Sequence, residues 1–127
     1  NSMLVLRPAD VEETTVCWRM AMENMDTPTG LIFSRQNVKS LPALNCSRRD
    51  EAKQAVKGAY VVMDSANPQV VMVASGSEVS TLMEGAEMLQ KEGIPVRVVS
   101  VPSEGLFRDQ PKSYQDSVLP KDAHNLP

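Results

Sequence analysis

The chain has little of what would commit it to a nucleic acid, a membrane, a metal or a disulfide framework. It carries 13 Lys or Arg against 16 Asp or Glu, a net charge of -3, with the basic residues scattered rather than gathered in a stripe between aromatics. No broad attraction to a polyanion follows, so nucleic acid is not an expected partner. No apolar run approaches the roughly 18 residues that a membrane helix needs. Asn1 to Asp10 lacks the basic start and long apolar middle of a signal peptide, and a cytoplasmic protein is expected. Cys17 and Cys46 form no Cys-x-x-Cys pair, and the single histidine, His124, is far from both in sequence. That excludes a zinc pattern and a disulfide framework, and no metal-ligand set is expected. Between Val16 and Trp18, Cys17 reads as a small buried apolar residue rather than a nucleophile. Aromatics are scarce, with one Trp, two Tyr and two Phe against eight Met, and a core filled largely by flexible side chains is expected.

What is present organises itself around residues 69–101. Val70 to Ala74 is apolar without alternation, as in a strand buried on both faces of a parallel sheet. Gly76 permits a tight turn, Ser77 offers a hydroxyl to cap free amides, and Val79, Leu82, Met83, Ala86 and Leu89 recur at helical spacing. Gly93 and Pro95 stop that helix, and Val96 to Val101 is a second β-branched run. The strand-helix-strand unit predicts an α/β fold, three-layered around a largely parallel sheet.

On the amino-terminal side, Met3 to Leu6 predicts a strand. Asp10 and Glu13 predict a capping box at the head of a helix over Val11 to Asn24, with Val11, Trp18, Met22 and Met25 on its apolar spacing. Leu31 to Phe33 predicts a strand whose polar tip is Ser34-Arg35-Gln36-Asn37. Open α/β sheets bind ligands at that end of a strand. Arg35 there could grip a phosphate or carboxylate by two parallel hydrogen bonds, or be an ordinary surface arginine; spacing leaves both open.

Val38 to Lys57 reads as a linker interrupted by Pro42, Asn45 and Ser47. Its charge run of Lys39, Arg48, Arg49, Lys53 and Lys57 reads as a solvated face compatible with a short helix over Asp50 to Val56. Ala59 to Met63 predicts a strand in a hairpin with Val70 to Ala74. Pro102-Ser103-Glu104 and Pro111-Lys112-Ser113 start two short helices anchored by Leu106, Phe107 and Tyr114. Val118 to Pro120 starts a last strand, and Lys121 to Pro127 frays.

Neither 1–37 nor 59–127 is long enough for a typical complete domain, so a piece of a larger protein is expected. Leu6-Arg7-Pro8-Ala9-Asp10, Glu12-Glu13-Thr14 and Pro28-Thr29-Gly30-Leu31-Ile32-Phe33-Ser34-Arg35-Gln36-Asn37 resemble the end of the pyrimidine-binding domain of transketolases. Ala74-Ser75-Gly76-Ser77-Glu78-Val79, Val98-Val99-Ser100-Val101-Pro102-Ser103 and Leu106-Phe107 with Gln110 resemble the start of the transketolase carboxy-terminal domain. The resemblance implies three parts: residues 1–37 ending the pyrimidine-binding domain, a linker at 38–58, and 59–127 beginning an incomplete carboxy-terminal domain. It also implies a parent homodimer that moves a two-carbon ketol unit between sugar phosphates of the pentose phosphate pathway. That parent uses thiamine diphosphate and a divalent cation, Mg or Ca, and the cofactor carries the chemistry. The family's diphosphate, metal and aminopyrimidine-activating residues lie upstream of the Arg-Pro-Ala-Asp motif. Neither catalytic, cofactor nor metal residues are therefore expected in this chain, which alone should be inactive. Arg35 falls on the family's Ser-Arg-Gln arginine that holds the substrate phosphate, while His124 matches no catalytic histidine. The alternative is a stand-alone α/β module without catalysis, either a structural interaction domain or one binding a small anion at Gly76-Ser77.

Overall fold

The unalternating apolar run does become the inner strand of a sheet. The computed structural model describes residues 3–33, 40–44, 46–120 and 124–126. In chain order its elements are β1 (Leu4–Leu6), α1 (Val11–Glu23), β2 (Thr29–Leu31), α2 (Arg48–Ala52), a 3-10 turn (Lys53–Lys57), β3 (Tyr60–Met63) and β4 (Val70–Ala74). They continue with α3 (Glu78–Lys91), β5 (Val96–Ser100), α4 (Glu104–Arg108), α5 (Lys112–Val118) and β6 (His124–Leu126). β1 and β2 pair in parallel, and the other four strands form a second sheet in the order β3-β5-β4-β6. β4 runs parallel to both neighbours, in register from Val70 opposite Val96 to Ala74 opposite Ser100 on one side and from Val70 opposite His124 on the other.

Alternation along β5 sends its side chains into two cores. Val96 and Val98 join Val62 under Val79, Met83 and Ala86 of α3, while Val99 and Val71 meet Val118 of α5 beside Phe107 and Tyr114. Helices thus cover both faces, giving three layers, and each fully buried valine contributes about 1.5–3 kcal/mol.

Several local expectations are corrected. β3 and β4 are not a hairpin: β5 lies between them, antiparallel to β3. A strand apolar on both faces is best placed inside the sheet, and the Asp64–Gln69 connection is long enough to step across it. The last strand is not at Val118, which ends α5, but at His124–Leu126. Its polar sequence carries no strand period; backbone pairing to the free side of β4 supplies the strand instead.

Ser77 does not cap α3. Its own backbone is already helical (φ -65°, ψ -16°), and no side-chain cap bond forms. Gly76, at φ 62°, makes the turn as expected. β2 sits two residues earlier than expected, leaving Ile32 and Phe33 about half exposed. The stretch read as linker is helical over 48–57. Ser47 caps α2 by accepting from Asp50 N at 3.2 Å, a start signal that had looked like an interruption. Asp10 caps α1 as expected, yet Val11, Trp18, Met22 and Met25 face outward and the buried pair is Glu13 and Cys17.

Candidate functional site

A carboxylate replaces apolar side chains in the buried face of α1, and the reason is the number of donors around it. Glu13, with no exposure, accepts from Ala9 N at 3.0 Å through Oε1. Its Oε2 accepts from the Tyr60 hydroxyl at 2.5 Å, Ser100 Oγ at 2.8 Å and Arg48 Nη2 at 3.1 Å. Asp10 shares the same arginine: Oδ2 accepts from Arg48 Nε at 2.8 Å and Oδ1 from Nη2 at 3.2 Å, while Oδ1 also caps α1 through Glu13 N at 2.9 Å. The guanidinium lies 5.5 Å from the Tyr60 ring centroid. The capping pair read from sequence therefore exists, although Glu13 reaches back to Ala9 N rather than to Asp10 N.

Two buried carboxylates share one guanidinium, and each of their four oxygens accepts at least one hydrogen bond from a protein donor. Burial and the Glu13 charge raise the Tyr60 pKa well above the usual phenol range, so Tyr60 stays a donor. Burial, followed by the same charge, pushes the Cys17 thiol up to about 12, the wrong direction for a nucleophile. What the cluster does is fasten α1 to α2, β3 and β5.

Arg48 is the residue that sequence reasoning misplaced. Its guanidinium side chain is only 10% exposed, because the helix capped by Ser47 turns it inward onto Asp10 and Glu13 rather than leaving it on a solvated face. Arg35 lies outside the described residues. The chain on either side is tied to the β1–α1 corner: Ile32 N donates to Leu6 O at 2.9 Å, and Leu41 N donates to Asp10 Oδ2 at 2.9 Å. His124 opens β6 opposite Val70. At the Gly76-Ser77 turn, Gly76 N donates to Arg7 O at 3.3 Å and Val79 N to Gly76 O at 3.3 Å, so these amides are already engaged.

A cleft of about 1010 Å³ opens over the carboxyl ends of β4 and β5, between β1 and α4, and includes Leu4, Arg7, Ser75, Val101 and Phe107. It is the crevice that an open α/β sheet offers a ligand. Among the described residues no group of three His, Cys, Asp or Glu is placed to hold a metal ion. No helix there is long and apolar enough to cross a membrane.

The family described as the transketolase-like carboxy-terminal domain matches residues 58–126, more than half of the chain. The transketolase of Geobacillus stearothermophilus is 45% identical over 121 residues, 94% of this chain and 18% of its own length. Among solved structures, the transketolase of Leishmania mexicana superposes with a TM-score of 0.87 at 39% identity, covering 98% of this chain and 18% of that one. A Pichia stipitis transketolase in complex with sedoheptulose-7-phosphate gives 0.87 at 33% identity, with the same 98% and 18% coverage. The chain thus spans less than a fifth of the length of these relatives.

Proposed function

The chain belongs to the transketolase family, and from that premise we propose that it is a segment of a transketolase that helps hold the phosphorylated substrate while the rest of the parent enzyme supplies the chemistry. The observation that carries this is similarity running through 94% of the chain to a transketolase, in one continuous order. In this reading 1–37 end the pyrimidine-binding domain, 38–58 connect, and 59–127 begin the carboxy-terminal domain. The parent is a cytoplasmic homodimer acting on sugar phosphates of the pentose phosphate pathway. A relative solved with sedoheptulose-7-phosphate, a phosphorylated ketose, supports that substrate class. Arg35 is assigned to the substrate phosphate, where a planar fork suits the anion.

Thiamine diphosphate supplies the ketol-transfer chemistry in the parent, and the residues that hold it and its divalent cation are assigned to the rest of that enzyme. Among the described residues no group of three His, Cys, Asp or Glu is placed to hold that cation. No reaction step is assigned to this chain.

The test is ketol transfer by the full-length protein that contains this segment. Activity is expected from a phosphorylated ketose to a phosphorylated aldose, abolished when thiamine diphosphate or the divalent cation is removed. A purified, folded parent that transfers no two-carbon unit with both supplied would sink the proposal.

A further inference from the structure

The cleft over the carboxyl ends of β4 and β5 combines an apolar floor with one cation left unpaired. Val73, Val101 and Phe107, each partly buried, line it beside the fully buried Val99. At about 1010 Å³ it has the volume of a small-molecule site. Of the two arginines in its lining, Arg108 pairs with Glu104 within α4, whereas the Arg7 guanidinium makes no ion pair or hydrogen bond with any described residue. The Arg7 main chain, by contrast, is held on both sides: its N donates to Pro102 O at 2.8 Å, and its O accepts from Gly76 N at 3.3 Å. The side chain therefore has a fixed root, and it lies over the turn between β4 and α3, where a Cβ on Gly76 would come within 3.6 Å of Nη2. Ser75, half-buried in the same lining, also keeps its hydroxyl unbonded among the described residues. The other unpaired charge of the lining, Asp109, stands at the far end of α4 from the Pro102 contact.

We propose that this cleft is a binding site for a small organic anion, with its acidic group on Arg7 and Ser75 and its apolar body over Val73 and Val101 beside Phe107. A planar fork of donors takes an oxyanion by two parallel bonds, and beside an apolar wall that contact is screened less than on an open surface. The body contributes through burial, and an aromatic body also packs on the Phe107 ring. Neither half of such a ligand suits the lining alone. A bare ion leaves the floor wet, and a neutral apolar molecule takes water from the guanidinium without replacing its hydrogen bonds. The proposal does not depend on the assignment of Arg35.

The experiment titrates the full-length protein with two fluorescent probes: anilinonaphthalene sulfonate, an aromatic anion, and phenylnaphthylamine, the same rings without the sulfonate. Arg7→Gln should weaken the sulfonate probe roughly tenfold to a hundredfold and leave the neutral probe unchanged. Arg7→Lys, with the charge but not the fork, should fall between Arg7→Gln and wild type. Arg19→Gln, which removes an exposed cation of α1 outside the cleft, should change neither probe. The Arg7 side chain bonds to nothing in the fold, so Arg7→Gln should keep the wild-type denaturation midpoint, and a lost probe is then not a lost fold. A sulfonate probe held by Arg7→Gln as tightly as by wild type overturns the proposal. Equal weakening in Arg19→Gln does so too, by showing a general attraction between charges. Equal weakening of the neutral probe in Arg7→Gln overturns it as well, since Arg7 would then only shape the cleft. So does a full-length protein that binds neither probe, because the rest of the parent would then fill the space.

Discussion

An alanine at Gly58 should cost the protein more than about 4 kcal/mol of stability, the largest loss expected from any single methyl group added here. Gly58 ends the 3-10 turn with φ 89° and ψ -27°, a left-handed conformation that alone disfavours an L side chain by about 1–2 kcal/mol. Space decides the rest. A Cβ there would stand 2.2 Å from Phe107 N, 2.4 Å from Ser103 O and 2.8 Å from Leu106 C. These are backbone atoms of the first turn of α4, not flexible side-chain ends. Moving them means breaking Ser103 N to Gly58 O at 3.1 Å, the bond that seats α4 against the start of β3, and Phe107 N to Ser103 O at 3.2 Å, the bond that closes the first turn of α4. Gly85→Ala, inside α3 where the added carbon meets nothing within 4 Å beyond its own stretch of helix, should instead gain about 0.5–1 kcal/mol. Urea denaturation of the two full-length variants checks the pair, and a Gly58→Ala protein as stable as wild type would contradict the close approach.

Glu13→Ala should destabilise by about 3–5 kcal/mol, the range for removing one partner of a buried ion pair. The loss is not merely one salt bridge. It strands the Tyr60 and Ser100 hydroxyls and the Ala9 amide, and leaves Arg48 to Asp10 alone. Glu13→Gln keeps the shape and one acceptor oxygen, so about 1–3 kcal/mol is expected. A double variant with Arg48→Ala should cost less than the sum of the single changes, because the stranded cation goes too. Chemical denaturation of the four proteins measures this, and strict additivity would show that Glu13 and Arg48 are not coupled.

The parts of the fold that depend on local pattern were legible in the sequence. The β4–α3–β5 unit could be read because its strand runs and helical spacing are both apolar, and α4 and α5 because Pro102-Ser103 and Pro111 mark their starts. What could not be read depends on distant partners. Val11, Trp18, Met22 and Met25 keep helical spacing, yet they are exposed, and Trp18 stacks on Phe33 with ring centroids 5.9 Å apart. Glu13 takes the buried place because its donors come from residues up to 87 positions away, which no local window contains. Arg48 was hidden for the same reason: its partner Asp10 is 38 positions distant, and a charge run looks alike whether solvated or bonded. The pairing of β6 likewise depends on an open side of β4 rather than on its own composition. For the site, the Asp10–Glu13 cap was visible, but not that its second oxygen reaches Leu41.

The measurement closest to the centre of this reading is steady-state ketol transfer by the full-length protein carrying Arg35→Ala, with paired phosphorylated and unphosphorylated donors. The phosphate does not react, so its contact contributes mainly uniform binding, and its loss should appear chiefly in KM. Loss of a charge-assisted bidentate contact, about 1.5–3 kcal/mol, predicts a fall of roughly tenfold to a hundredfold in kcat/KM for the phosphorylated donor alone. Arg35→Lys should recover only part of it, keeping the charge without the planar fork. Equal losses for both donors would contradict the assignment and place Arg35 among the residues that hold the fold together.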